Sequence, residues 1–286
     1  MAQRNFRELL EAQWDAGRFL CVGLDSDLEK IPASARQNDV EQTLVAFNRA
    51  IIDATKDIVC AYKPNSAFYE AHGDLGWRAL RSTIQYILDQ APAVPVILDS
   101  KRSDIGNTNR GYVDSFFEHL QADAITLPPL MGREALEPFL AHKEKGFFVL
   151  CRTSNAGAGE FQDLKVDGTS SGLSASAPLY EVIAGHVARQ WNDNGNCGLV
   201  VGATYPGELA AVRKIAPELP ILLPGIGAQN GDLKHSVQAG RDAHGRGLIV
   251  AASRAIIFAS SGKDFADATR LKAQELNREI AAALVQ

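Results

Sequence analysis

The sequence predicts an α/β fold, a single-domain (β/α)8 TIM barrel over residues 1–286, and three observations predict it. Eight short apolar runs recur along the whole length, amphipathic stretches of helical period separate them, and no linker or change of composition divides the chain. Parallel strands covered by helices read as continuous Val, Ile, Leu and Phe runs rather than alternating ones. A doubly wound open sheet uses the same alternation, but the count of eight and the lack of a GxGxxG after the first run favour the closed barrel.

A helix over Asn5–Ala16 precedes the first run. The runs are Phe19–Asp25, Ile58–Asn65, Val94–Lys101, Asp123–Pro129, Gly146–Thr153, Gly198–Thr204, Ile221–Gly227 and Gly247–Ser253. Helical period places helices at Val40–Thr55, Leu75–Gln90 and Ala177–Asn192, and Asp264–Val285 closes the fold. Asn155–Ser176, rich in Gly, Ser and Ala, joins the fifth run to its helix. A connection of that length is either a solvated insertion or a functional lid. Gln162 within it reads as a solvated loop residue.

Composition narrows the function. Hydrophobic content of 46% and charged content of 22% are those of a globular protein, and a net charge of −5 excludes a general nucleic-acid surface. No apolar run approaches the roughly 18 residues that span a bilayer, and the N-terminus lacks a signal-peptide core. The four cysteines form no CxxC and three lie in apolar runs, which suits a reducing cytoplasm. The histidines show no zinc-ligand spacing, so no metal is expected.

The stretch Ile97-Leu98-Asp99-Ser100-Lys101-Arg102-Ser103-Asp104-Ile105 carries the strongest chemical signal. Residues two apart on a strand share a face, which puts Asp99 beside Lys101, with Asp104 beyond the strand end. Buried charges cost several kcal/mol unless paired, so such a cluster is either a structural ion pair or a working site. The other run ends decide between them, because barrel chemistry sits at the C-terminal ends of the strands. Those ends carry Asp25, Lys63 with Asn65, Thr126, Thr153 with Ser154, Thr204, and Ser253 with Arg254. Pro224–Gly231 supplies small residues that expose backbone N–H groups, and Ser253-Arg254 opens a helical segment. Together they form a candidate phosphate cradle between the last two strands.

With these residues in view, the sequence resembles the orotidine 5′-phosphate decarboxylase family, in its longer bacterial branch, over nearly the whole chain. The resemblance rests on Asp99, Lys101 and Asp104 as DxKxxD and on Lys63 within Ala61-Tyr62-Lys63-Pro64-Asn65. Gly23-Leu24-Asp25, Arg152-Thr153-Ser154-Asn155, Gly202–Pro206, Pro224–Gln229 and Ser253-Arg254 add to it. The chain departs from the family pattern at Ser253, where some relatives carry Gly, and after Asn155, where Pro is common.

The resemblance implies cofactor-free conversion of orotidine 5′-monophosphate to uridine 5′-monophosphate in a cytoplasmic homodimer. It assigns Lys63, Asp99, Lys101 and Asp104 to a catalytic charge network, with Asp104, Ile105 and Thr108 supplied across the dimer. Asp25 would take a ribose hydroxyl, Ser154 the pyrimidine, and Gln229 and Arg254 the phosphate. Loss of carbon dioxide would leave a C6 carbanion that Lys101 stabilises and protonates.

Three rivals stand beside this reading. A Mg²⁺-dependent keto-sugar-phosphate decarboxylase on the same barrel needs an acidic ligand at the end of the second strand, where this chain has Lys63. A Schiff-base aldolase needs a free amine, and a lysine between two carboxylates is a poor one. A non-catalytic nucleotide-phosphate binding protein would have no need of clustered charges.

Overall fold

The computed structural model describes residues 4–226 and 232–285. Eight parallel strands form one sheet: β1 (Leu20–Gly23), β2 (Ala61–Lys63), β3 (Ile97–Leu98), β4 (Ala124–Leu127), β5 (Gly146–Arg152), β6 (Cys197–Val201), β7 (Ile221–Leu223) and β8 (Leu248–Ala252). Their spatial order is β2-β1-β8-β7-β6-β5-β4-β3, so each strand lies beside its neighbour in sequence. The two ends meet through parallel bridges Tyr62–Val96 and Asn65–Asp99, which close the barrel. Each strand falls within or one residue outside its expected run. The runs were too long because their polar ends leave the ladder, and those ends form the rim.

Strand interiors are buried, as parallel strands under a helical coat must be. The coat follows the periodicity closely. Val40–Thr55 is helical, with the Asp39 carboxylate accepting from Gln42 N at 2.7 Å as its N-cap. Gly73–Gln90 and Phe265–Val285 follow suit. The expected helix over Ala177–Asn192 begins two residues later, at Leu179. Ala177 and Pro178 instead pair antiparallel with Lys165–Val166, a small ribbon that gives the long connection after β5 a framework. The last turn of that helix widens to a π-helix over Val187–Trp191.

The leading helix spans Phe6–Asp15, with the Asn5 side chain accepting from Arg7 N and Glu8 N. It stoppers the end of the barrel opposite the rim. Phe6 stands edge-on to Phe148 at 5.6 Å, Trp14 Nε1 donates to Leu248 O at 2.8 Å, and Arg4 donates twice to Asp123 at 2.8 Å. No helix among the described residues is long and apolar enough to cross a membrane.

Candidate active site

The polar residues expected at the strand ends converge on one cleft. Two adjoining cavities share Lys63, Asp99, Ser154 and Pro224; one extends to Lys101 and Thr126, the other to Asp25, Gly225, Ser253 and Arg254. Close backbone approach makes this possible at two glycines. A Cβ on Gly23 would overlap the Ser253 hydroxyl, and one on Gly202 would stand 2.8 Å from the Ser154 backbone. Gly225 has φ of 102°, a conformation side-chain-bearing residues rarely adopt, where the cradle turns out of β7.

Asp99 is the hub. Its carboxylate accepts from Lys63 Nζ at 2.9 Å on Oδ2, and from Lys101 Nζ at 2.5 Å and Thr126 Oγ1 at 2.9 Å on Oδ1. Lys63 Nζ also lies 4.0 Å from Asp25 Oδ1. Burial on its own would raise the Asp99 carboxyl, but the charges of Lys63 and Lys101 outweigh it and hold the group well below the usual carboxylate range. Burial would likewise lower the Lys63 ammonium, and Asp99 and Asp25 outweigh that and push it up. Asp99 and Lys63 therefore stand as a buried ion pair, 7% and 5% exposed, with both charges kept. Such a pair is poor value for stability, since an apolar pair of similar volume usually serves as well. It is what a site needing fixed charge requires.

Lys101 reaches the hub by an unexpected route. β3 ends at Leu98, and Lys101 has φ of 46°, in the left-handed region that costs a non-glycine residue about 1–3 kcal/mol. A turn, rather than strand alternation, brings its ammonium back onto Asp99. The side chain remains 47% exposed at the mouth of the cleft.

Asp25 Oδ1 is buried and accepts no hydrogen bond among the described residues. The residue lines the cavity that also holds Ser253 and Arg254, and a hydroxyl donor entering there would satisfy its carboxylate. Behind it, Tyr69 donates to Leu24 O at 3.0 Å and Ser26 to Asn48 at 2.6 Å, fixing the turn that carries Asp25.

Ser154 lines both cavities, and Arg254, on the short helix Arg254–Ile257, lines the end away from Lys101. Asp104, Ile105 and Thr108 do not line the cleft. The Asp104 carboxylate accepts from Ile105 N at 2.7 Å, and Ile105 is 61% exposed. Gln229 and Gly227 lie outside the described residues.

Two features were missed in the sequence. Gln162 is no solvated loop residue: its side chain accepts from Thr153 N at 2.9 Å and donates to Thr153 Oγ1 at 3.0 Å, fastening the long connection to the end of β5. Arg152, 3% exposed, holds the same connection through Asp163 at 3.1 Å and stacks on Tyr205 at 4.3 Å. A register irregularity between Leu150 and Arg152 aims that side chain under the loop.

A closed parallel barrel with a lysine–aspartate–lysine hub at its mouth and an arginine at the far end of the cleft defines a (β/α)8-barrel enzyme with a charge-network site. Comparison with known proteins specifies which. Residues 18–268 match the family model described as orotidine 5′-phosphate decarboxylase / HUMPS family, and the chain belongs to that family. It is 46% identical over 277 residues to the orotidine 5′-phosphate decarboxylase of Cellvibrio japonicus, covering 96% of this chain and 98% of that one. It is 47% identical over 269 residues to that of Ralstonia pickettii, covering 93% and 94%. The solved structure of Leishmania donovani OMP decarboxylase superposes with a TM-score of 0.83 at 38% identity, covering 99% of each chain. The chain is an enzyme, a decarboxylase of pyrimidine biosynthesis.

Proposed function

We propose that the chain, as one barrel domain, converts orotidine 5′-monophosphate to uridine 5′-monophosphate and carbon dioxide without a cofactor, in a cytoplasmic homodimer whose sites are shared. The observation that carries this reading is the Lys63–Asp99–Lys101 hub, opening into a cleft with Arg254 at its other end.

In this mechanism the bond between C6 and the carboxylate breaks, and its electron pair stays on C6. No ring carbonyl adjoins that carbon, so the charge must be met by a fixed cation. The Lys101 ammonium supplies it and then gives its proton to C6, recovering one from solvent. Asp99 keeps Lys101 in place and also lies near the departing carboxylate. Two like charges about 4 Å apart at an effective dielectric near 20 repel by roughly 4 kcal/mol, which departure of carbon dioxide relieves. Asp25 takes a ribose hydroxyl, and Ser154 contacts the pyrimidine. Arg254, with Gln229, grips the phosphate, whose binding energy organises the site.

Within one subunit the network lacks its last acid. Exposed Ile105, Leu130 and Met131 sit on packed segments after β3 and β4, an apolar rim suited to a second copy that brings Asp104, Ile105 and Thr108 across. Four buried free cysteines, with the Cys21 thiol pushed up to about 12 by burial, suit a reducing compartment.

The test is to follow loss of the orotate chromophore and release of carbon dioxide with purified protein in excess EDTA. Rapid conversion is expected. Inert, folded protein that instead acts on keto-sugar phosphates with Mg²⁺ would overturn the reading; Lys63, paired to Asp99 at the end of β2 where that chemistry needs an acid, speaks against it. Arg254→Ala should cut kcat/KM for the nucleotide by roughly 100-fold, as expected for a lost charged contact, while barely affecting a phosphate-free nucleoside. Equal losses on both substrates would remove Arg254 from the phosphate site.

A further inference from the structure

We propose that Thr126 is a positioning residue that sets the geometry of the Lys101–Asp99 pair; the inference rests on the reaction proposed above and adds a residue to it. Thr126 lies at the end of β4, is 1% exposed and lines the part of the cleft that holds Lys101. Its hydroxyl accepts from Lys101 N at 3.0 Å and donates to Asp99 Oδ1 at 2.9 Å. An amide can only donate and an ionised carboxylate can only accept, so the single hydroxyl proton has one possible direction.

The arrangement closes a ring. Asp99 Oδ1 also receives Lys101 Nζ at 2.5 Å, so Lys101 is held by its main chain through Thr126 and by its ammonium through Asp99. β3 and β4 run in register through Leu98 and Ile125, which puts Asp99 opposite Thr126 just where the ladder stops. The hydroxyl takes the place of a ladder partner for the Lys101 amide, at the residue whose φ of 46° turns the chain back into the cleft. The Ser100 hydroxyl donates to Thr126 O at 3.3 Å, tying the two strand ends together from the other side. Thr126 therefore governs both where the proton donor sits and which carboxylate oxygen it sits on. Oδ2 is left to Lys63.

Thr126→Val keeps the shape and removes the hydroxyl; Thr126→Ser keeps the hydroxyl. The valine variant should lose roughly 10- to 100-fold in kcat, the worth of a hydrogen bond to a charged group, with KM within about twofold of wild type. The serine variant should recover most of that loss. A kcat unchanged by valine, an equal loss in serine, or a loss confined to KM would overturn the proposal; the last would make Thr126 a substrate contact. A crystal structure of Thr126→Val should show Lys101 out of the left-handed region or its ammonium shifted from Asp99 Oδ1, and an unchanged pair would overturn the proposal. That arm needs no turnover, so it decides even where wild-type protein proves inert and the reaction itself is misassigned. Should valine prevent folding, Thr126→Ala carries the same measurements.

Discussion

Lys101→Ala is expected to lower kcat by at least roughly 10⁴-fold, taking about 10²–10³ for a lost electrostatic contact to the developing carbanion and about 10²–10⁴ for lost proton transfer. The fold should survive. The Lys101 side chain is 47% exposed, and without it Asp99 still accepts from Lys63 at 2.9 Å and Thr126 at 2.9 Å. Circular dichroism and the melting temperature should therefore stay close to wild type while carbon dioxide release all but stops. Residual turnover within about 100-fold of wild type would show that another group supplies the proton, and Lys101 would then be only a support for Asp99.

Asp104→Ala should inactivate nearly as thoroughly, for a reason only an assembly can reveal. If each site uses Lys101 of its own subunit and Asp104 of its neighbour, a mixed dimer of Lys101→Ala and Asp104→Ala has one site missing both groups and one intact. Random reassortment of equal amounts should then restore about a quarter of the wild-type sites from two inactive proteins. The measurement is activity against mixing ratio after mild denaturation and refolding together, with subunit exchange verified by a mass tag. Exchange without recovery would place Asp104 outside the network. The intrachain geometry favours recovery: the Asp104 carboxylate accepts from Ile105 N at 2.7 Å, and Asp104 does not line the cleft of its own subunit.

The barrel was legible because burial on both faces imposes uninterrupted apolar runs, and eight of them at regular spacing leave few topologies. Their ends were misjudged for one physical reason. Asp25 and Lys101 look like the last residues of strands, but their side chains line the cleft and the backbone leaves the ladder early. The start of the helix after β5 was misjudged because pairing of Ala177–Pro178 with Lys165–Val166 is non-local, and helical period cannot register it.

Within the site, Lys63, Asp99 and Arg254 were visible as charges at the ends of apolar strands, an unusual pattern with few structural uses. Lys101 shows the same charge signal, but a left-handed residue rather than strand alternation delivers it to Asp99. Thr126 and Gln162 carry no such signal. Thr126 stood out only as one polar residue near a strand end, and Gln162 as a glutamine in a polar loop; their hydrogen bonds alone show what they hold.

The stopper beneath the barrel has a practical consequence. Arg4 is anchored to Asp123 at the foot of β4, on the opposite side of the molecule from the cleft. A surface tether attached ahead of Arg4 should therefore hold the enzyme with its mouth toward the solution. Immobilised protein coupled that way should retain substrate access, whereas coupling through lysines at the mouth should not.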